Sequence, residues 1–171
     1  MRQGRIGGIE DFSAGEVRRQ ASARLTIATQ GQGFTDVTEA VAAFVRQSGI
    51  RDGLVCVFCR HTSASLTIQE NADPDVQTDL LSALDNLAPR GAGYVHGAEK
   101  PNALQSRTRY THTAEGPDDM PAHIRTMLTD SSLSIPVSGG RLALGTWQGI
   151  YLIEHRDRPH RREIVLHVIG A

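Results

Sequence analysis

The chain has 171 residues, 39% of them apolar and 22% charged, which fits one globular domain able to bury a core without staples. Its formal charge of −1 gives no overall attraction to nucleic acid or to an anionic membrane. No apolar run is long enough for a membrane span and no apolar signal core stands near the amino terminus, so a cytoplasmic location is expected, with neither a nucleic-acid nor a membrane partner.

Residues 1–19 are rich in Gly and Arg without periodicity and read as a flexible extension before a single domain over 20–171. In the run ASARLTIA, Ala21, Ala23, Leu25 and Ile27 alternate with Ser22, Arg24 and Thr26, the pattern of a half-buried strand. Gly31 to Gly33 turns the chain into a helix that Asp36 and Glu39 can close with a capping box. Val37, Val41, Phe44 and Val45 form its apolar stripe, and Ser48-Gly49 ends it.

Leu54 to Cys59 is too apolar and β-branched to be anything but a buried strand. Its Cys56 and Cys59 point to opposite faces and stand roughly 10 Å apart. That excludes an intramolecular disulfide, and reduced cysteines packed as small hydrophobes fit a cytosolic protein. His61 to Ile68 follows as a second strand, and Asp73 with Pro74 then opens a helix whose buried stripe is Val76, Leu80, Leu81 and Leu84. From Pro89 to Arg109, Gly91, Gly93, Gly97 and Pro101 break every pattern. Pro121 starts a short helix, and the tail, LSIPV, RLALG, GIYLIEHR and REIVLHVIG, is all strand. Helices set among such strands make this an α+β domain, with a mixed or antiparallel sheet or a barrel and a few flanking helices.

The stretch YTHTAEGPDDMPAHI (110–124) holds two histidines and three acids and has little apolar content to bury, so chemistry is the natural reason for its order. His112 and His123 are too far apart for a single-helix metal motif, but a loop ligand plus a helix ligand remains workable. Asp118 and Asp119 lie at a helix amino terminus, where capping competes with ligation of a divalent ion. His61 opens a hydroxyl run, Thr62, Ser63, Ser65 and Thr67, which is either a polar edge or a binding strand. Glu154 and His155 face opposite ways at a strand end, so at most one of them points at a given pocket. The cluster RDRPHRR, with four arginines, reads as a solvated turn. His167 reads as a packed strand residue, and His96 and His160 as loop residues.

The blocks HTSASLTIQENADPDVQTDL, YTHTAEGPDDMPAHI and SLSIPVSGGRLALGTWQGIYLIEHR closely resemble the YjbQ-like family, often labelled secondary thiamine-phosphate synthase, from about Arg19 to Gly170. The resemblance implies a compact α+β subunit, a homotrimer with pockets near subunit boundaries, and a weak activity joining a pyrimidine diphosphate to a thiazole phosphate with release of pyrophosphate. The family pattern falls on His61, Thr62, Ser63 and Ser65, on Glu70, Asn71, Asp73 and Asp75, on His112, Gly116, Asp118, Asp119 and His123, and on Gln148, Glu154, His155 and Arg156. It departs at the extra amino terminus, at a loop insertion over 93–109, and at Gly139.

On that basis His61, His112, Asp119 and Glu154 are the expected catalytic groups, with His61 or His112 as the acid–base imidazole. Thr62, Ser63, Ser65, Asn71, Gln148 and Arg156 are expected to bind a small phosphorylated heterocycle, Arg156 through a bidentate phosphate contact. His112, His123, His155 and Asp118 are expected to hold a divalent ion, Mg²⁺ or Zn²⁺. Two rival expectations are a metal-dependent hydrolase of another substrate and a non-catalytic trimeric ligand-binding module.

Overall fold

A computed structural model describes residues 14–90 and 110–171, so most of the predicted extension, the 93–109 insertion and His96 lie outside the described residues. The strands β1 (Arg19–Ala28), β3 (Gly53–Cys59), β5 (Ser132–Ser138), β6 (Arg141–Leu142) and β8 (Arg161–Gly170) form one sheet in the order β1-β8-β3-β5-β6. The second sheet, ordered β2-β7-β4, is built from β2 (Gly33–Asp36), β7 (Gln148–Glu154) and β4 (Ala64–Glu70). All pairings between these strands are antiparallel. With helices α1 (Thr38–Ser48), α2 (Pro74–Leu87) and α3 (Asp119–Leu128), the α+β expectation holds, with two antiparallel sheets.

Alternation does the sorting in the larger sheet. Val55, Val57 and Cys59 of β3, Leu133, Ile135 and Val137 of β5, and Ile164, Leu166 and Val168 of β8 turn inward onto Leu66 of β4 and Ile150 and Leu152 of β7. Helix α1 adds Val41, Phe44 and Val45 to that core. Gly53 and Gly170 pair in register where the strand ends nearly touch: a Cβ on Gly53 would stand 2.0 Å from the Ile169 carbonyl oxygen.

Several local expectations need correction. The segment 33–36 is a strand, not the lead into a helix, and three half-buried residues with an exposed Asp36 carry too little alternation to announce it. Helix α1 starts at Thr38 without a capping box: Asp36 accepts the Thr38 amide at 2.8 Å, while Glu39 pairs with Arg46. The strand expected from His61 begins only at Ala64, so His61, Thr62 and Ser63 lie in the connection and share no strand face. The apolar stripe of α2 is only half-buried, although its start is as expected, with Asp73 accepting the Asp75 amide and Pro74 in the first turn. Cys56 and Cys59 are free thiols, half-buried and buried respectively.

Candidate functional site

The turn before α3 positions the first part of the site. Gly116, at φ 105°, takes a conformation that a side chain disfavours, and a Cβ there would stand 3.2 Å from Asp118 Oδ1. The chain then enters α3, where Asp119 and His123 are one turn apart and share a face. His112 reaches the same point from the segment before the turn. Asp119 Oδ2 lies 2.7 Å from His112 Nε2 and 3.2 Å from His123 Nε2. The carboxylate is 2% exposed, whereas His112 and His123 are 41% and 35% exposed, so the cluster opens to solvent on the histidine side.

Arg156, just beyond β7, locks this arrangement from behind. Its guanidinium donates to Asp119 Oδ1, to Asp118 Oδ2 at 2.9 Å and to the Glu115 carbonyl at 2.7 Å. The Asp157 amide also donates to Asp118 Oδ2, at 2.9 Å. Burial by itself raises the Asp118 carboxyl, but the bonds from Arg156 and the Asp157 amide outweigh it and hold its pKa below the usual range. Asp118 therefore serves neither as a side-chain cap, for it makes no cap bond, nor as a member of the converging set. Arg156, placed by sequence on substrate phosphate, spends its donors on the protein.

His123 carries the most informative bond. Its Nδ1 lies 3.0 Å from the Thr62 carbonyl oxygen, which can only accept, so Nδ1 bears a proton. In the neutral ring Nε2 is then a lone pair, and it faces a carboxylate oxygen. Two acceptors at 3.2 Å repel, so either a second ring proton or a metal cation belongs between them. One donor atom from each of His112, Asp119 and His123 can be chosen so that all lie within 4.8 Å of one another. Two imidazoles and one carboxylate suit zinc better than Mg²⁺, and a backbone carbonyl accepting the other ring N–H is the usual way such a histidine is oriented.

The remaining predicted residues go elsewhere. Glu154, 1% exposed, accepts from Arg162 Nε at 2.7 Å, Arg162 Nη2 at 2.5 Å, Thr29 Oγ1 at 2.9 Å and the Arg156 amide at 3.0 Å. Burial raises its pKa, but these bonds prevail and leave it lowered. His155 is buried, its Nε2 2.8 Å from Ser65 Oγ, and burial pushes its pKa down to about 4, so it is neutral. It is absent from the converging set, and Ser65, fully buried and also bonded to Thr129, is closed to substrate. Ser63 accepts from Arg162 through both its carbonyl and its hydroxyl. Gln148 lines a separate cleft of about 530 Å³ beside Trp147, and Asn71 bonds the Thr146 and Gln148 carbonyls. His61 and Thr62 line a cleft of about 640 Å³ that His123 also borders, together with Phe58, Arg60 and Met127.

Two features escaped the sequence reading although a signal existed. Asp119, not Asp118, is the acid four residues before His123. Arg162 begins the inward series continued by Ile164, Leu166 and Val168, which marks it as a buried cation and removes it from the solvated turn.

Among the described residues two antiparallel sheets and three helices, with a His–Asp–His cluster whose His123 borders a cleft, define an α+β protein with a candidate cation centre. A family model described as UPF0047 protein YjbQ-like matches residues 23–171, and the chain belongs to that family. A UPF0047 protein of Synechocystis sp. is 49% identical over 159 residues, covering 93% of this chain and 98% of the relative. YjbQ of Salmonella typhimurium is 36% identical over 149 residues, covering 85% and 95%. A crystal structure of a YjbQ/UPF0047 family protein of Clostridium acetobutylicum has a TM-score of 0.69 at 37% identity, covering 85% of this chain and 98% of that one. No described helix is long and apolar enough to cross a membrane.

Proposed function

We propose that His112, Asp119 and His123 hold a zinc ion and that the protein is a metal-dependent enzyme acting on a small phosphorylated molecule in the adjoining cleft. The observation that carries this reading is His123: its Nδ1–H is fixed on the Thr62 carbonyl and its Nε2 is turned toward Asp119, on which His112 Nε2 also converges. Charge supports it, since Asp118 and Asp119 against Arg156 leave one uncompensated negative charge. When bound, zinc supplies Lewis-acid polarisation of a substrate oxygen. The chain's own residues do the rest: Arg156 fixes the Asp119 carboxylate and Thr62 fixes the His123 ring. The exposed histidine side leaves room for substrate.

The donor set favours the hydrolytic reading over a Mg²⁺-dependent thiamine-phosphate synthase, because two imidazoles favour zinc. Purified protein is therefore expected to contain about one zinc per chain, and Asp119→Asn is expected to lose it. Protein that is fully folded yet retains no zinc after exposure to it refutes the site. Metal-dependent release of pyrophosphate from the pyrimidine diphosphate and thiazole phosphate pair would instead return the transferase reading.

The homotrimer belongs to the same proposal. Leu54 and Phe58 of β3 and Ile169 of β8 stand exposed on the outer face of the larger sheet, an apolar strip that a second and third copy can cover. Sedimentation at the monomer mass would remove that part of the proposal.

A further inference from the structure

The cleft beside the metal ligands contains a second set of fixed donors. His61 lies in the connection between β3 and β4, and the Glu163 amide donates to its Nε2 at 2.7 Å. A nitrogen that accepts an N–H carries a lone pair, so the ring is neutral and its one proton sits on Nδ1. Burial and the nearby charge of Arg162 lower the pKa of this imidazole, in the same direction as the geometry. Among the described residues Nδ1 has no hydrogen-bond partner, and the ring lines the cleft. Glu163 also places the neighbouring guanidinium: its carboxylate accepts from Arg60 Nη1 at 3.0 Å and its carbonyl accepts the Arg60 amide at 3.2 Å. One residue of β8 thus orients a neutral N–H and a cation in a cleft that Met127 also lines.

We propose that His61 and Arg60 bind an anionic, phosphoryl-type oxygen of the ligand, His61 acting as a neutral hydrogen-bond donor through Nδ1 and not as an acid or base. This deepens the proposed function by placing the substrate's anionic group. Binding of the anion itself does not require zinc, so the two readings fail separately.

The test uses the full chain freed of metal by chelation, titrated with inorganic pyrophosphate and followed by two-bond proton–nitrogen spectra of the histidine rings. The expected result is a neutral Nδ1–H tautomer for His61 at neutral pH, with a saturable shift on pyrophosphate. His61→Asn, whose amide can place a donor near the Nδ1 position, is expected to hold affinity within about threefold, whereas His61→Leu loses about tenfold or more, as for a hydrogen bond to a charged group. An Nε2–H tautomer, an imidazolium near neutrality, equal losses in both variants, or no saturable binding each overturns the proposal. Because the tautomer is read on the unsubstituted protein, a variant that fails to fold leaves the test intact. Zinc binding that survives a negative result here isolates the failure to the anion site.

Discussion

Replacing Arg162 by Met tests whether Glu154 is a structural anion or a free catalytic carboxylate. In the native chain both Glu154 oxygens are occupied: Oε2 by Arg162 Nε and Thr29 Oγ1, Oε1 by Arg162 Nη2 and the Arg156 amide. Glu154 and Arg162 are 1% and 5% exposed, so water cannot replace the lost donors. Removing one partner of a buried pair costs about 3–5 kcal/mol, since it strands the other charge. For a chain of this length that lowers the melting temperature by roughly 6–20 °C.

The pH dependence gives the sign. Glu154 has a lowered pKa in the folded protein, so its contribution is present above the unfolded value and is lost as pH falls through the folded one. In Arg162→Met burial acts with less opposition and raises that pKa, so the variant recovers stability relative to wild type as the solution is acidified. Urea denaturation at fixed protein concentration, at neutral and mildly acidic pH, measures both effects. A loss below about 1 kcal/mol with an unchanged pH slope would refute the reasoning, because exposed pairs behave that way.

Two further outcomes follow from the same geometry. Arg156→Lys keeps the charge but cannot reach Asp118, Asp119 and the Glu115 carbonyl together, so zinc affinity, read by competition with a chelating dye, should fall about 10–100-fold. Unchanged affinity would show that Asp119 needs no support. His155 is held neutral by burial with a pKa of about 4 against an ordinary 6.5. Its contribution is complete above the ordinary value and is lost as pH falls toward the folded one, at up to about 1.4 kcal/mol per pH unit. His155→Gln should flatten the stability profile between those limits, and an unaltered slope would mean that another group carries the acid sensitivity.

How much of this was legible in the sequence depends on whether the cause was local. The Asp73–Pro74 start of α2, the αL glycine ending α1 and the strand character of β1, β3, β5 and β8 are local, and they were readable; that β3 buries only one face was not, because GLVCVFC is apolar on both and Leu54 and Phe58 stand exposed. The Asp119–His123 pairing was equally local, but two adjacent acids in the helix entry hid which one shares the histidine's face. The buried fate of Glu154 was not legible. Every residue of β7 from Gly149 to Glu154 is buried, so no alternation marks its two faces, and the partner Arg162 lies across a turn in the other sheet. Likewise nothing near Thr62 announces that its carbonyl will meet His123, 61 residues on.

The reach of Arg156 back to the start of α3 has a consequence for transplanting the site. The lock and the carboxylate it holds are 37 residues apart, so the orientation of Asp119 belongs to the assembled sheets and not to the helix that bears it. A peptide or a grafted segment covering 110–128 would carry all three proposed ligands, yet its aspartate would turn freely and lose the entropy advantage of a pre-set donor. A designer moving this centre to another scaffold must therefore import a guanidinium from a second element along with the helix.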